Sequence, residues 1–268
     1  MPEPDLVMAD PDQVAAYTRA GREDGVMAPV YLFHAANACE VIRPGDTVVD
    51  LACGPGTQLA MVARLNPESR FLGVDLSDEM LTRARNYAAQ QMLENIEFHK
   101  GDVSALDFLG DASVDALISS MALHHLPDEA ALEQTFREVA RVLKPGGGVY
   151  LVDFGHLKSK KSIEYFANQY ADRQPAIFTE DYRNSLWAAF PLSAFQHAAK
   201  HLDARATVYS TFIFPFMVAT KSPPRRLADD AVRAEIAALR AQLPAHHQRD
   251  LKDLSSFFRL GGLRCALL

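Results

Sequence analysis

Val48-Val49-Asp50-Leu51-Ala52-Cys53-Gly54-Pro55-Gly56-Thr57 decides how this chain is read. An apolar run ends in a carboxylate, and a glycine-rich turn then leads into a helix start. Glycines at such a turn let the backbone come close to a ligand. The carboxylate selects the ligand's charge: a pyrophosphate is repelled by Asp50, and a cation is attracted. Phe71-Leu72-Gly73-Val74-Asp75 repeats the pattern of an apolar run closed by an acid. It lies about 20 residues further on, where a ribose-binding acid belongs. Ile96-Glu97-Phe98-His99-Lys100-Gly101-Asp102 repeats it again. Three successive strands thus deliver a carboxylate to their carboxyl ends, the edge at which open α/β sheets bind ligands. The plainer alternative is three acids that only cap helices.

Outward from this centre the chain alternates strand and helix. Pro44-Gly45-Asp46 turns into the first strand, and residues 11–40 before it read as helical. Ser77 reads as an N-cap with Asp78 and Glu79 in the first turn. Leu81, Ala84, Ala88 and Met92 then form an apolar stripe at helical spacing. Residues 114–120 read as the fourth strand. Asp128 is expected to cap the next helix, with Leu132, Phe136, Val139 and Leu143 on its buried face and Pro145-Gly146-Gly147-Gly148 at its end. Residues 149–152 read as the fifth strand, and 206–220 as two more. This order predicts a doubly wound, Rossmann-like α/β sheet. The expected organisation is a helical cap (1–44), a cofactor-binding core (45–156), a helical lid rich in aromatics (157–203), the last strands (204–222) and a helical C-terminal extension (223–268).

Composition narrows the function. With 268 residues and 49% apolar content, the chain can bury a sizeable core. It has no run of about 18 apolar residues, so no membrane span is expected. The acidic, proline-containing start at residues 1–5 does not read as a signal peptide. Cys39, Cys53 and Cys265 are far apart and fit neither a disulfide framework nor a metal site, so a cytoplasmic setting is expected. A net charge of −7 disfavours gripping nucleic acid. The short basic cluster Lys158, Lys160 and Lys161 reads as a solvated loop.

With these motifs in place, the chain resembles the class I S-adenosylmethionine-dependent methyltransferases of small-molecule type. The resemblance is clear over residues 45–155 and looser to 220. It implies about seven strands with the last antiparallel, and S-adenosyl-L-methionine as cofactor with S-adenosyl-L-homocysteine as product. It implies that Asp50, Gly54 and Gly56 cradle the methionine part, with Ala52 and Cys53 beside them. Asp75 would bind the ribose hydroxyls, flanked by Leu76 and Met80, and Asp102 the adenine amino group, flanked by Gly101 and Val103. Ser119, Ser120 and Met121 would run beside the methionine moiety. The family pattern has glycine where this chain has Ala52, a departure that matters if the residue needs a positive φ.

The acceptor side is less determined. Ser119 to Asp128 would line the wall between donor and acceptor, without the Asn/Asp-Pro-Pro-aromatic motif of nucleobase amino-methyltransferases. His124 is the candidate catalytic residue, since a neutral imidazole can take or hold an acceptor proton. His125 is the weaker candidate. Asp153 and His156 open on the same rim. Tyr182 and Trp187 in the lid, and Tyr17, Tyr31 and His34 in the N-terminal segment, are candidate walls for a small organic acceptor. A homodimer is compatible with the extension. A cofactor-binding protein without turnover is the second reading. A nicotinamide-dependent oxidoreductase is a third, disfavoured by Asp50 and by Leu59 where that fingerprint wants glycine.

Overall fold

The computed structural model describes residues 11–20, 25–203, 205–226 and 229–268. The elements run α1 (Pro11–Ala20), α2 (Ala28–Val41), β1 (Thr47–Leu51), α3 (Thr57–Leu65), β2 (Arg70–Asp75), α4 (Asp78–Gln90), β3 (Ile96–Lys100) and β4 (Val114–Ser120). They continue with α5 (Glu129–Val142), β5 (Leu143–Phe154), α6 (Lys160–Ala167), α7 (Ala176–Ala188), α8 (Leu192–Ala198), β6 (Thr207–Ser210), β7 (Met217–Lys221), α9 (Asp230–Gln242) and α10 (Ala245–Leu260). The seven strands form one sheet in the order β3-β2-β1-β4-β5-β7-β6. β1 to β5 are parallel, and β7 runs antiparallel between β5 and β6. The central strands are covered on both faces, which is why Val48, Val49 and Leu51 form an unbroken buried run rather than an alternating one. The order reverses between β1 and β4, and a crevice at such a switch point is where ligands bind.

One face of the sheet packs on α2, α3, α9 and α10, and the other on α5 and α8. The caps are those expected: Ser77 Oγ accepts from Met80 N–H, and Asp128 from Ala131 N–H at 2.8 Å.

Four details differ from the sequence reading. Nearly every residue of α2 is buried, so it is a core helix wedged between the sheet and α10 rather than a cap. Its sequence is mostly apolar and its polar residues His34, Asn37 and Glu40 are buried as well, so it has no outward face to present. Met92 lies past the end of α4, 86% exposed with φ +54, because the helix closes with Leu93 N–H on Ala88 O and Met92 N–H on Ala89 O. Leu143 is already paired with Val114 in the sheet; the register then shifts, and Pro145 to Gly147 bulge before Gly148 resumes opposite Ala116. The aromatics between 157 and 203 divide: Phe190 and Phe195 join the core under α5, while those of α6 and α7 gather on the opposite face.

Candidate active site

The turn after β1 builds the floor of the cleft. Ala52, Gly54 and Gly56 take φ of +53, +55 and +75. At Gly56 a Cβ would lie 2.9 Å from Ala84 Cβ, so α3 and α4 close over this turn only if the residue is glycine. Ala52 does sit at a positive φ, so it carries strain that glycine would avoid, about 1–2 kcal/mol. Cys53 N–H on Val74 O at 2.9 Å holds the strained turn against β2.

Asp75 ties the turn to the next strand. Its Oδ2 accepts Gly54 N–H at 2.8 Å and its Oδ1 accepts Ser77 N–H at 2.9 Å. Burial raises its pKa despite these bonds. Asp50 is buried at the end of β1, where desolvation first and the Asp75 charge second push its pKa well up. No hydrogen bond to its carboxyl forms among the described residues. Asp102, on the far rim, is exposed and accepts both Ser104 N–H and Oγ–H on Oδ1.

Between these acids lies a cleft of about 210 Å³. Of the expected cofactor residues it is lined by Ala52, Gly54, Asp75, Leu76, Met80, Asp102, Val103 and Met121. Asp50, Cys53, Gly56 and Gly101 stand behind the lining and shape it. Ser119 and Ser120 also lie outside it, a correction: Ser119 Oγ donates to Leu51 O at 2.8 Å, which ties β4 to β1 instead. Sequence reasoning missed Ser77, Ser104, Leu126 and Pro127 as lining residues, and it assigned His125 to the acceptor side. The signal for the last three was the His-His-Leu-Pro run, which folds as a 3-10 turn (Leu123–His125) and faces the cofactor side. The lining carries two carboxylates, an apolar floor and no lysine or arginine. That donor set fits a cationic adenosine derivative: acids for ribose hydroxyls and an exocyclic amine, apolar side chains for a base. It repels a pyrophosphate.

A second cavity, of about 90 Å³, shares one wall with the cleft: Met121 lines both. Met121 takes φ +54, a strained conformation of the kind that clusters at functional sites. The cavity is aromatic, with Phe154 and Tyr182 at 5.2 Å and Phe166 and Phe216 at 4.6 Å between ring centroids. Its N-terminal wall comes from Val26, Met27, Pro29 and Val30.

Several expected acceptor residues are placed elsewhere. His124 lines neither cavity. It is buried, its Nδ1 lies 2.7 Å from Asp153 Oδ1, and its backbone N–H donates to Asp153 Oδ2 at 2.8 Å. Asp153 also accepts Phe154 N–H, so it pins the turn to β5 rather than opening on a rim. His124 therefore supports the wall through its contact with Phe154. His156 is exposed, with its N–H on Phe190 O. Tyr31 and His34 point into the core; His34 Nδ1 meets Tyr150 Oη at 2.7 Å, and burial lowers its pKa to about 3. Trp187 packs on the core beside α7's buried face. Tyr182 lines the cavity. The side chain of Tyr17 lies outside the described residues. No cluster suited to a metal ion occurs among the described residues.

Comparison with known proteins agrees with this geometry. A methyltransferase domain family matches residues 48–147. The arsenite methyltransferase of Halobacterium salinarum is 34% identical over 43% of this chain and 29% of its own length. The ubiquinone/menaquinone biosynthesis C-methyltransferase of Klebsiella pneumoniae is 34% identical over 49% of this chain and 50% of its own. The chain thus spans half or less of the length of these curated relatives. Among solved structures, a SAM-dependent methyltransferase from Aquifex aeolicus shares the fold, with a TM-score of 0.56 and 17% identity over 80% of this chain and 99% of that one. Residues 48–147 of this chain thus form a methyltransferase domain, and its strand order and strand-end acids are those of the class I S-adenosylmethionine-dependent type.

Proposed function

We propose that the protein moves a methyl group from S-adenosyl-L-methionine to a nucleophilic atom of a small organic acceptor. The observation that carries this reading is Met121, the common wall of an acid-rimmed cleft and an aromatic cavity. The cofactor, when bound, supplies a methyl already attached to a good leaving group. What remains for the protein is alignment and exclusion of water, and orientation alone yields large rate gains.

The residues divide that work. Asp75 accepts from the ribose hydroxyls with the lone pairs left free by Gly54 and Ser77. Asp102 keeps Oδ2 for the adenine amino group. Leu76, Met80 and Val103 sandwich the base. Asp50, buried behind the turn, supplies the negative field for a cationic ligand. Met121 and Phe154 set the distance between the two sites, with His124 and Asp153 as positioning residues. Asp250 and Asp253 line the aromatic cavity and are its candidate proton acceptors, Asp250 being paired with Arg173 at 3.0 Å. The cleft's lack of basic residues and the charge of −7 favour a small molecule over nucleic acid. Three unpaired cysteines accord with a cytoplasmic setting.

Calorimetric titration with S-adenosylhomocysteine, run beside Asp75→Ala, tests the cofactor half. A charge-assisted bond is worth about 1.5–3 kcal/mol, so the variant should bind roughly tenfold or more weakly. No binding by the folded parent withdraws the reading. The acceptor half is tested by S-adenosylhomocysteine release across a panel of small nucleophiles, with Tyr182→Ala expected to raise KM for the acceptor and leave cofactor affinity unchanged.

A further inference from the structure

The turn joining β6 to β7 places Phe212, Ile213 and Phe214 in water, with Ile213 71% exposed. They do not stand alone. Tyr165 packs edge-on against Phe166, Phe166 meets Phe214, and Phe216 meets Phe257. Leu260, 62% exposed, extends the patch one helical turn beyond Phe257. So large an apolar surface marks an interaction site.

Its backbone shows what kind. Phe212 N–H donates to Phe257 O, Phe214 N–H to Phe212 O, and Phe216 N–H to Phe214 O, while Pro215 has no N–H. Met217 N–H donates to Thr211 Oγ, and Thr211 Oγ–H to Phe214 O. The tip can therefore leave water with almost no orphaned donor, the condition that an apolar phase imposes. Ile213 also sits at φ +67, a genuine outlier for a β-branched residue. Glycine or asparagine would relax that turn, so nothing in the fold itself calls for isoleucine there.

The surrounding charge is basic on an otherwise acidic chain. Lys158, Lys160 and Lys161 are exposed and pair with no acid among the described residues. Lys161 and Tyr165 are neighbours four apart on α6, and exposed Arg259 adjoins Leu260. Of the acids beside the patch, Glu164 is paired with Arg183 and Asp250 with Arg173, while Asp253 lines the aromatic cavity and is also exposed one turn before Phe257. An apolar tip rimmed by cations is the arrangement that seats at an anionic lipid surface.

We propose that the β6–β7 tip docks this protein peripherally on an anionic phospholipid bilayer, Phe212, Ile213 and Phe214 entering the interface and Lys160, Lys161 and Arg259 meeting headgroups. No helix among the described residues is long and apolar enough to cross a membrane, so the docking is on the surface. Phe166 and Phe257 belong to both patch and cavity, which sets the cavity's rim at the lipid. The proposal does not depend on the transferase reading.

The test is co-sedimentation of the full chain with phosphatidylcholine vesicles, with and without phosphatidylglycerol, alongside sedimentation velocity of the protein alone. Binding is expected only to the anionic vesicles. It should fall roughly tenfold or more in Phe212→Ser/Phe214→Ser and in Lys160→Gln/Lys161→Gln. Ile213→Gly should weaken vesicle binding while the thermal midpoint holds or rises, which a merely structural tip would not do. No pelleting with anionic vesicles, equal pelleting with both, or indifference to the tip variants overturns the proposal. So does self-association that the tip variants abolish, which would assign the patch to a second copy of the chain.

Discussion

Asp50 concentrates the conflict between stability and binding in one side chain. Burial and the Asp75 charge raise its pKa above the ordinary carboxylate value. The folded state therefore binds this proton more tightly than the unfolded chain does. The sign follows: the contribution to stability falls as pH rises from the ordinary carboxylate value through the raised one. Asp75, also raised, adds a slope of the same sign. A cationic ligand favours the charged form, so its affinity rises with pH over that window and binding releases a proton. Calorimetry in buffers of different ionisation enthalpy reads that proton. Asp50→Asn should match or exceed the parent's thermal midpoint at neutral pH and lose cofactor affinity roughly tenfold or more. A variant that kept full affinity would remove Asp50 from the site. The acids were legible because each ends an apolar run. His124 was misread because its partner, Asp153, lies 29 residues away on another strand.

At the scale of elements, the 3-10 turn after β4 is held by one carboxylate. Asp153 is fully buried and accepts from His124 twice and from Phe154 once. Asp153→Ala leaves buried donors without a partner and should destabilise the fold by about 2–3 kcal/mol in urea titration. Asp153→Asn keeps one acceptor oxygen but turns an amide nitrogen toward a backbone N–H, so it should recover only part of that loss. If the turn is the wall between the sites, Asp153→Asn should also raise KM for cofactor and acceptor together. The elements themselves were readable wherever an amphipathic face or a cap marked them, as at Ser77 and Asp128. α2 was not, since a helix buried on all sides shows no contrast from face to face. α8 was not either: its sequence reads like the rest of the lid, and only its packing on α5 assigns it to the opposite face of the sheet.

Across the whole molecule, a buried ion pair ties the two ends of the fold. Lys221 Nζ, at the end of β7, meets Glu40 Oε2 at 2.5 Å and Asn37 Oδ1 at 2.8 Å. Glu40 Oε1 accepts Ala266 N–H, and the backbone N–H of Arg225 donates to Glu40 O. Phe258 stacks on Phe33 beside them. Lys221→Met strands the Glu40 charge and should cost about 3–5 kcal/mol, read as a lower urea midpoint. A shift under 1 kcal/mol would mean that water reaches the carboxylate. This clamp was invisible in sequence, where a lone lysine after a strand reads as surface. The sheet order could be read because each crossover is local; the clamp could not, because it is not.

Protein synthesis is vectorial, and this gives the clamp a consequence in time. Glu40 leaves the ribosome 181 residues before Lys221. At about 5–20 residues per second, that is roughly 10–40 s during which α2 has no cation to shelter its carboxylate. The nascent methyltransferase domain can pair its first five strands in that interval, but it cannot seat α2 in its final burial. Completion of the native packing is thereby deferred until the C-terminal helices emerge, and a ribosome stalled before residue 221 holds a chain that a quality-control protease can still tell from a finished one.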